Sequence, residues 1–422
     1  MIHYMTTNGI GNSWVANELH QLANHKIPFK LHAMRKPGGH FHASQWAKDM
    51  DRDTHVLYPV KPLSVLIAML IAPFCFGKKF WAALFNALFA KRESLRIRIA
   101  GIAHFAVACH WARQLQHQNV SLIHSQWIHS GGTITMYAAW LLGKPFSFTG
   151  HAADLFRERC ALQDKVDRAA FIVCISQFHK ELFMKMGASA DKLHIVYCGI
   201  DVSLFSPKQK TQAHDVPHIL SAGRLVDKKG FEYLIDACGK LRDQQVAFKC
   251  TIAGSGPLED SLKQRVKDQK LEKLVTVTGK SIMQEDIPAF MNEGDIYCLP
   301  CVWAKDNDVD GLPQMLMEAM ACGVPCISTK LVGIPDLLIQ SKTGLLVQPN
   351  DASQLAGALN ILIHDKQLQE DLASNGVAHV NAVFDLATCL NPLVKQYKQF
   401  LSISDKNPQN ISRKSTEAKV QS

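Results

Sequence analysis

The chain is 422 residues long, and 47% of it is apolar against 20% charged. That size excludes a single core of ordinary dimensions and predicts two globular domains, each with a substantial core of its own. The formal net charge is +9, and its placement matters more than its size. Between Lys61 and Ala100, seven cations (Lys61, Lys78, Lys79, Lys91, Arg92, Arg96, Arg98) stand against one acid, Glu93, so this segment alone carries +6. A local excess points to one anionic surface rather than to general solubility, and no nucleic-acid partner is expected. Twelve Cys without regular spacing, several inside apolar runs, suit buried thiols in a reducing compartment. The N-terminus has neither the basic nor the apolar region of a signal peptide, and no run reaches the ~18 apolar residues of a membrane span. A cytoplasmic protein is expected, peripheral on the inner face of the cytoplasmic membrane.

In chain order, Met1–Met5 predicts an opening strand, followed by the loop Asn8-Gly9-Ile10-Gly11-Asn12-Ser13 and a helix starting near Ser13. Gly9 and Gly11 permit close backbone contact with a phosphate or a sugar, of donor or acceptor. Leu63–Ala90 predicts two short apolar helices, broken at Pro73 and at Lys78-Lys79 and edged by Lys and Arg. Such a pair fits a membrane interface, with Trp81 and several Phe as anchors. A buried hairpin packed on the N-terminal domain explains the apolar residues equally well, but not the cations, each of which contributes ~1 kcal/mol near an anionic leaflet. Val120–Ser125, Pro145–Thr149, Ala170–Ile175 and His194–Tyr197 predict further strands, with a helix over Gln177–Met186. Strands interleaved with helices at this density imply a parallel sheet covered on both faces.

The segment 204–216 turns polar and predicts a linker after an N-terminal domain of residues 1–203. A second alternation then runs through 217–385, with strands at His218–Ala222, Phe248–Ala253, Val275–Thr278, Ile296–Leu299, Cys326–Thr329 and Gly344–Val347. A C-terminal helix over 386–402 is expected to pack back toward the N-terminal domain. The polar tail 403–422 is expected to be disordered. The fold class is therefore α/β, with two doubly wound Rossmann-like domains whose ligands sit at the carboxyl ends of the strands.

Several strand-to-helix junctions carry chemistry. Gly223-Arg224-Leu225-Val226-Asp227-Lys228-Lys229-Gly230 brings Arg224 and Lys229 to a helix start, an anion site suited to a diphosphate. Lys229, next to the glycine, is the stronger lysine candidate. Gly254 and Gly256 open a second such turn, before Pro257. His151 follows the Pro145–Thr149 strand. Asp310 precedes Gly311 and Leu312, and Glu318 follows eight positions later on an apolar helix, so the two acids can reach different parts of one elongated ligand. Cys298-x-x-Cys301 and Cys322-x3-Cys326 lack a matching His pair, and no structural metal is expected.

These motifs resemble the retaining nucleotide-sugar glycosyltransferases of family 4, whose GT-B architecture sets two Rossmann-like domains facing across a cleft. The resemblance covers roughly Asn8 to Asp365. It rests on the Asp310/Glu318 pair, the Gly223–Gly230 loop, Thr149-x-His151-x-x-Asp154, and Gly344-Leu345-Leu346-Val347-x-Pro349 with Asp351. Ser13-Trp14-Val15-x-Asn17-Glu18 makes it similar to the colanic-acid and exopolysaccharide group, which extends glycans on a polyprenyl-diphosphate carrier. The resemblance implies a hexose moved with retention from a nucleotide diphosphate sugar to a lipid-linked glycan, in exopolysaccharide, capsule or lipopolysaccharide synthesis. His151, Asp310 and Glu318 would be catalytic; Arg224, Lys229, Gly311 and Leu312 would hold the donor diphosphate; Gly254, Gly256 and Glu318 the nucleotide; Gly9, Gly11 and Ser13 the acceptor side. No metal and no cofactor is implied, and Asp306-Asn307-Asp308 is expected to be a solvated acidic loop. Two departures stand out: Asp310 replaces the usual Glu, and Cys198 replaces an Asn. An epimerase-like enzyme on the same fold and a non-catalytic nucleotide- or lipid-binding partner remain as alternatives.

Overall fold

The computed structural model describes residues 1–11, 13–36, 45–157, 159–207 and 216–405. The chain divides into two compact units, one comprising Met1–Cys174, Lys180–Val196 and the chain from Leu390 on, the other Ile175–His179 and Tyr197–Cys389. The division falls at Val196/Tyr197, earlier than the expected boundary after 203, because Ile200 bridges Asp385 and its neighbour Gly199 packs under Phe384 and Cys389. Helix Asn391–Asp405 is counted with the first unit, where Tyr397 and Phe400 meet His124 and Phe171. That helix covers residues 403–405 of the expected tail; the rest of the tail, 406–422, and linker residues 208–215 lie outside the described residues.

Among the described residues, the first unit holds seven parallel strands: β1 Ile2–Thr6, β2 Phe29–Ala33, β3 His55–Val56, β4 Leu122–Ser125, β5 Phe146–Gly150, β6 Phe171–Cys174 and β7 Leu193–Ile195. Their order is β3-β2-β1-β4-β5-β6-β7, so the sheet winds outward both ways from β1 and β4. Strands β2 and β3 have no clear signal in the sequence. Each carries one histidine of a row that starts on β1: His3 Nδ1 lies 2.9 Å from His32 Nε2, and His32 Nδ1 lies 3.3 Å from His55 Nδ1. Burial lowers all three rings, His3 to about 4, so they pack as neutral aromatics.

The apolar segment forms helices Pro62–Phe76 and Lys78–Phe89, which pack on helix Leu95–Leu115. The small residues Ala68, Ala72, Ala83 and Ala87, with Phe80, face inward. The large ones, among them Leu66, Leu70, Phe74 (89% exposed), Trp81 (61%) and Phe85 (66%), face outward. Arg92 is buried against Asp164 (2.6 Å), and Glu93 accepts the Ala161 and Leu162 N–H groups. Arg92 and Glu93 are thus engaged within the unit, while of the other six cations Lys61, Lys78, Lys79, Lys91 and Arg96 are exposed and Arg98 is half-buried. No helix among the described residues is long and apolar enough to cross a membrane.

The second unit holds β8 His218–Ala222, β9 Lys249–Ala253, β10 Val275–Val277, β11 Ile296–Leu299, β12 Cys326–Thr329 and β13 Leu345–Val347. All are parallel, in the order β10-β9-β8-β11-β12-β13. Near-continuous apolar runs explain why these strands are readable from sequence: both faces are covered by helices.

Candidate active site

The strand order of the second sheet reverses between β8 and β11, where a doubly wound fold opens a crevice beyond the strand ends. A cavity of about 450 Å³ lies there, lined among others by Gly223, Arg224, Gly254, Gly256, Ser281 and Met315. Its two glycine turns are zipped together: Gly223 N donates to Ala253 O (3.0 Å) and Leu225 N to Ser255 O (2.9 Å). The approach requires glycine, since a Cβ on Gly254 would overlap the Gly223 carbonyl oxygen. Arg224 is exposed on the cavity wall.

Past Arg224 the chain makes a 3-10 turn, Asp227–Lys229, closed by Gly230 at φ +66°, where a side chain would strike the Pro300 carbonyl. This turn aims both lysines at the loop after β11. Lys229 Nζ lies 2.5 Å from Asp310 Oδ2; Lys228 Nζ lies 3.1 Å from Asp310 Oδ1 and 3.2 Å from Asp308 Oδ2. Burial acts to raise the Asp310 carboxyl, but Lys229 and Lys228 outweigh it and hold Asp310 below the usual range. Burial likewise opposes the Lys229 charge, and Asp310 more than restores it. The sequence favoured Lys229 over Lys228, and the resemblance made Asp310 catalytic; here both lysines share Asp310. Asp308, read as part of a solvated acidic loop, is half-buried on Lys228. Gly311 and Leu312 follow, and the Gly311 carbonyl accepts from Gly333 N (3.0 Å).

Glu318 lies one turn beyond Met315 on helix Gln314–Ala321 and is 4% exposed. Burial pushes its carboxyl up to about 7, against the pull of nearby Lys229. Its Oε2 is buried without a hydrogen-bond partner. An unpartnered buried acceptor, one turn from the cavity-lining Met315, is a costly arrangement that a hydroxyl-bearing ligand would relieve. The second unit therefore gathers Arg224, Lys228, Lys229, Asp310, Glu318 and the Gly254–Gly256 turn at one end of its sheet.

His151, Gly9, Gly11 and Ser13 belong to the first unit. Gly9 takes φ +59°, and Gly11 N donates to Asn8 O (3.0 Å) in a tight turn. Ser13 begins helix Ser13–Asn24, while Asn12 lies outside the described residues. His151 is buried where β5 ends, its ring against those of Trp14 (4.4 Å) and Trp127 (4.5 Å). Below it, Gln126 Nε2 lies 3.5 Å from His151 Nε2 and donates to Glu18 Oε2 (3.3 Å), and Tyr4 donates to Glu18 Oε1 (2.6 Å). Burial raises the Glu18 carboxyl to about 7 against those bonds. Sequence reasoning assigned Glu18 no role. The available signal was an acid on the same helix face as Val15, Leu19 and Leu22.

Cys298, Cys301, Cys322 and Cys326 are buried. Among the described residues, no group of three or more His, Cys, Asp or Glu could hold a metal ion.

Residues 80–204 match the family profile "Glycosyltransferase Family 4", and residues 204–379 match "Glycosyl transferases group 1". The amylovoran biosynthesis glycosyltransferase AmsK of Erwinia amylovora is 36% identical over 50% of this chain and 53% of its own length. The putative colanic acid biosynthesis glycosyltransferase WcaL of Escherichia coli K12 is 37% identical over 46% and 47%. The chain spans about half the length of the curated relatives it matches. Among solved structures, Anabaena Alr3699/HepE in complex with UDP aligns over 95% of this chain and 99% of its own, with a TM-score of 0.68 at 17% identity. The apo lipopolysaccharide outer core galactosyltransferase WaaB aligns over 94% and 99%, with a TM-score of 0.66 at 17% identity. These likenesses show the GT-B fold.

Proposed function

For a chain that carries a family 4 and a group 1 glycosyltransferase domain in succession, we propose transfer of a sugar from a nucleoside diphosphate sugar to a glycan acceptor in exopolysaccharide or lipopolysaccharide synthesis. The observation that carries this reading is Glu318, whose buried, unpartnered carboxylate oxygen suits the hydroxyls of a ribose. Ribose at Glu318 puts the diphosphate toward Arg224, Lys228 and Lys229, whose charges stabilise the leaving group without a metal or cofactor. The bond from the anomeric carbon to the diphosphate oxygen breaks, and the acceptor hydroxyl oxygen bonds to that carbon on the same face. Its proton passes to the departing phosphate, so the anomeric configuration is retained. Asp310, with the backbone at Gly311 and Leu312, takes the donor hexose once the lysines turn to the diphosphate. His151 orients the sugar at the reacting carbon.

In this reading the acceptor is linked to a polyprenyl diphosphate, and the protein works at the inner face of the cytoplasmic membrane. The outward Leu, Phe and Trp side chains of Pro62–Phe89 and the exposed cations of the segment support an anionic leaflet as the docking surface. Flotation with phosphatidylglycerol vesicles tests it: the native protein should float, and Phe74→Ser/Trp81→Ser/Phe85→Ser should not. Equal flotation of both removes the membrane from the reading.

Transfer is tested with a panel of UDP-, GDP- and ADP-sugars, first by ligand-induced stabilisation and then by product analysis. Lys229→Ala and Glu318→Ala should each lower transfer by at least ~100-fold while the fold stays intact. Near-normal rates in both variants would sink the assignment. A changed donor sugar formed without acceptor would identify an epimerase-like enzyme instead.

A further inference from the structure

Strands β1, β4 and β5 are neighbours in the first sheet, and β1 and β4 flank its own switch point. Trp14 follows β1, Trp127 follows β4 and His151 follows β5, so three adjacent strand ends each deliver one ring to the same place. The ring centroids are 4.4 Å (Trp14–His151), 4.5 Å (Trp127–His151) and 5.4 Å (Trp14–Trp127) apart. His151 is buried, while both indoles are only half-buried.

The loop that carries Trp127 is fixed from below. Ser125 Oγ donates to Trp127 O (2.6 Å), and Asp154 Oδ2 accepts from Ile128 N (3.0 Å). The fully buried Lys165 ammonium donates to the carbonyls of Ile128, His129 and Cys160. A buried cation spent on three carbonyls beside a part-exposed indole holds that indole rigid, the condition under which an aromatic anchor binds with little ordering cost. Under the rings lies the polar floor of Gln126, Glu18 and Tyr4. Part-exposed indoles held at a sheet's switch point match the apolar C–H face of a hexose.

We propose that Trp14 and Trp127, braced by His151, form a platform on which a pyranose ring of the acceptor glycan stacks. The platform selects a sugar with one face free of axial hydroxyls, because an axial oxygen would hold the C–H face off the indoles. The identity of the bound sugar as acceptor rests on the glycosyl-transfer reading above; the stacking itself does not.

The test is saturation-transfer NMR on the full chain with the methyl glycosides of glucose, galactose and mannose, irradiating the aromatic resonances. The native protein should transfer saturation to ring C–H protons of at least one glycoside, most strongly on one face. Trp14→Ala and Trp127→Ala should each lose most of that signal, and Trp127→Phe should keep part of it. Melting temperature and near-ultraviolet dichroism of each variant separate lost stacking from lost folding. A native protein that saturates none of the three glycosides, or folded Ala variants that saturate them undiminished, overturns the platform. Binding of a nucleotide sugar, measured in parallel by thermal shift, reads out the second unit, so failure of the donor reading is distinguished from failure of the platform.

Discussion

The first sheet and the second are wound in the same order, yet their interiors differ in kind. Inside the first lie His3, Glu18, His32, His124, Gln126, Asp154 and Lys165, all buried and linked by hydrogen bonds. The interior of the second is aliphatic and thiol-rich, and its charges converge where β8 and β11 part: Lys228, Lys229, Asp310, Glu318. One topology thus tolerates a largely hydrogen-bonded polar interior as well as an apolar one with charge gathered at the strand ends. The first arrangement makes stability depend on ionisation; the second makes ligand binding depend on it.

The contrast can be broken most sharply at Lys165. Lys165→Met leaves three buried carbonyls without their donor and should cost about 3 kcal/mol, confined to the first unit. Hydrogen exchange resolved by peptide should show β4 and β5 loosening while β8 and β11 stay protected; uniform loosening would mean the two interiors are not energetically separate.

Acid is the next lever. His3, His104 and His124 are lowered by burial to about 4, 4 and 3, below their unfolded value of 6.5. The stability they contribute is fully present above about pH 6.5 and is lost as pH falls toward the folded values. Glu18 and Asp154, raised by burial to about 7 and 6, act in the opposite sense and recover part of the loss above pH 4.5. A net loss on the order of 3–5 kcal/mol is expected in the first unit by pH 4. Exchange protection in β1 and β4 that does not change between pH 7 and 4 contradicts it.

A smaller effect of opposite sign is expected at Glu318. Its folded value, about 7, lies above 4.5, so its burial lowers stability increasingly as pH rises through 7. Glu318→Gln should therefore stabilise the ligand-free protein by about 1–2 kcal/mol at pH 8 and much less at pH 5, while removing activity. Donor binding near pH 7 should also release protons, visible as a calorimetric enthalpy that depends on the buffer. Smallest is Asp308→Asn, which removes one arm of a half-exposed pair and should cost under about 1 kcal/mol.

The same contrast governs what the sequence discloses. Strands β8, β11 and β12 fall on the expected residues because an apolar run between turn residues has one reading in a covered parallel sheet. Strands β2 and β3 were hidden because the neutral histidines His32, buried, and His55, half-buried, stand where Val or Ile would mark a strand. Among the candidate site residues, the places of Arg224, Lys229, Gly254 and Glu318 after a strand or on a helix were legible in the sequence. The sharing of Asp310 between two lysines was not, since it depends on a loop returning some eighty residues later. Trp14 and Trp127 meet only because β1 and β4 are adjacent, which no local pattern announces.

Of the twelve cysteines, ten are buried, Cys198 is half-covered and Cys75 is exposed. Cys75 follows Phe74 in the last turn of the outward-facing helix Pro62–Phe76. The native chain thus carries its own depth gauge: an environment-sensitive fluorophore on Cys75 would register the polarity of whatever that helix touches, with no engineered residue.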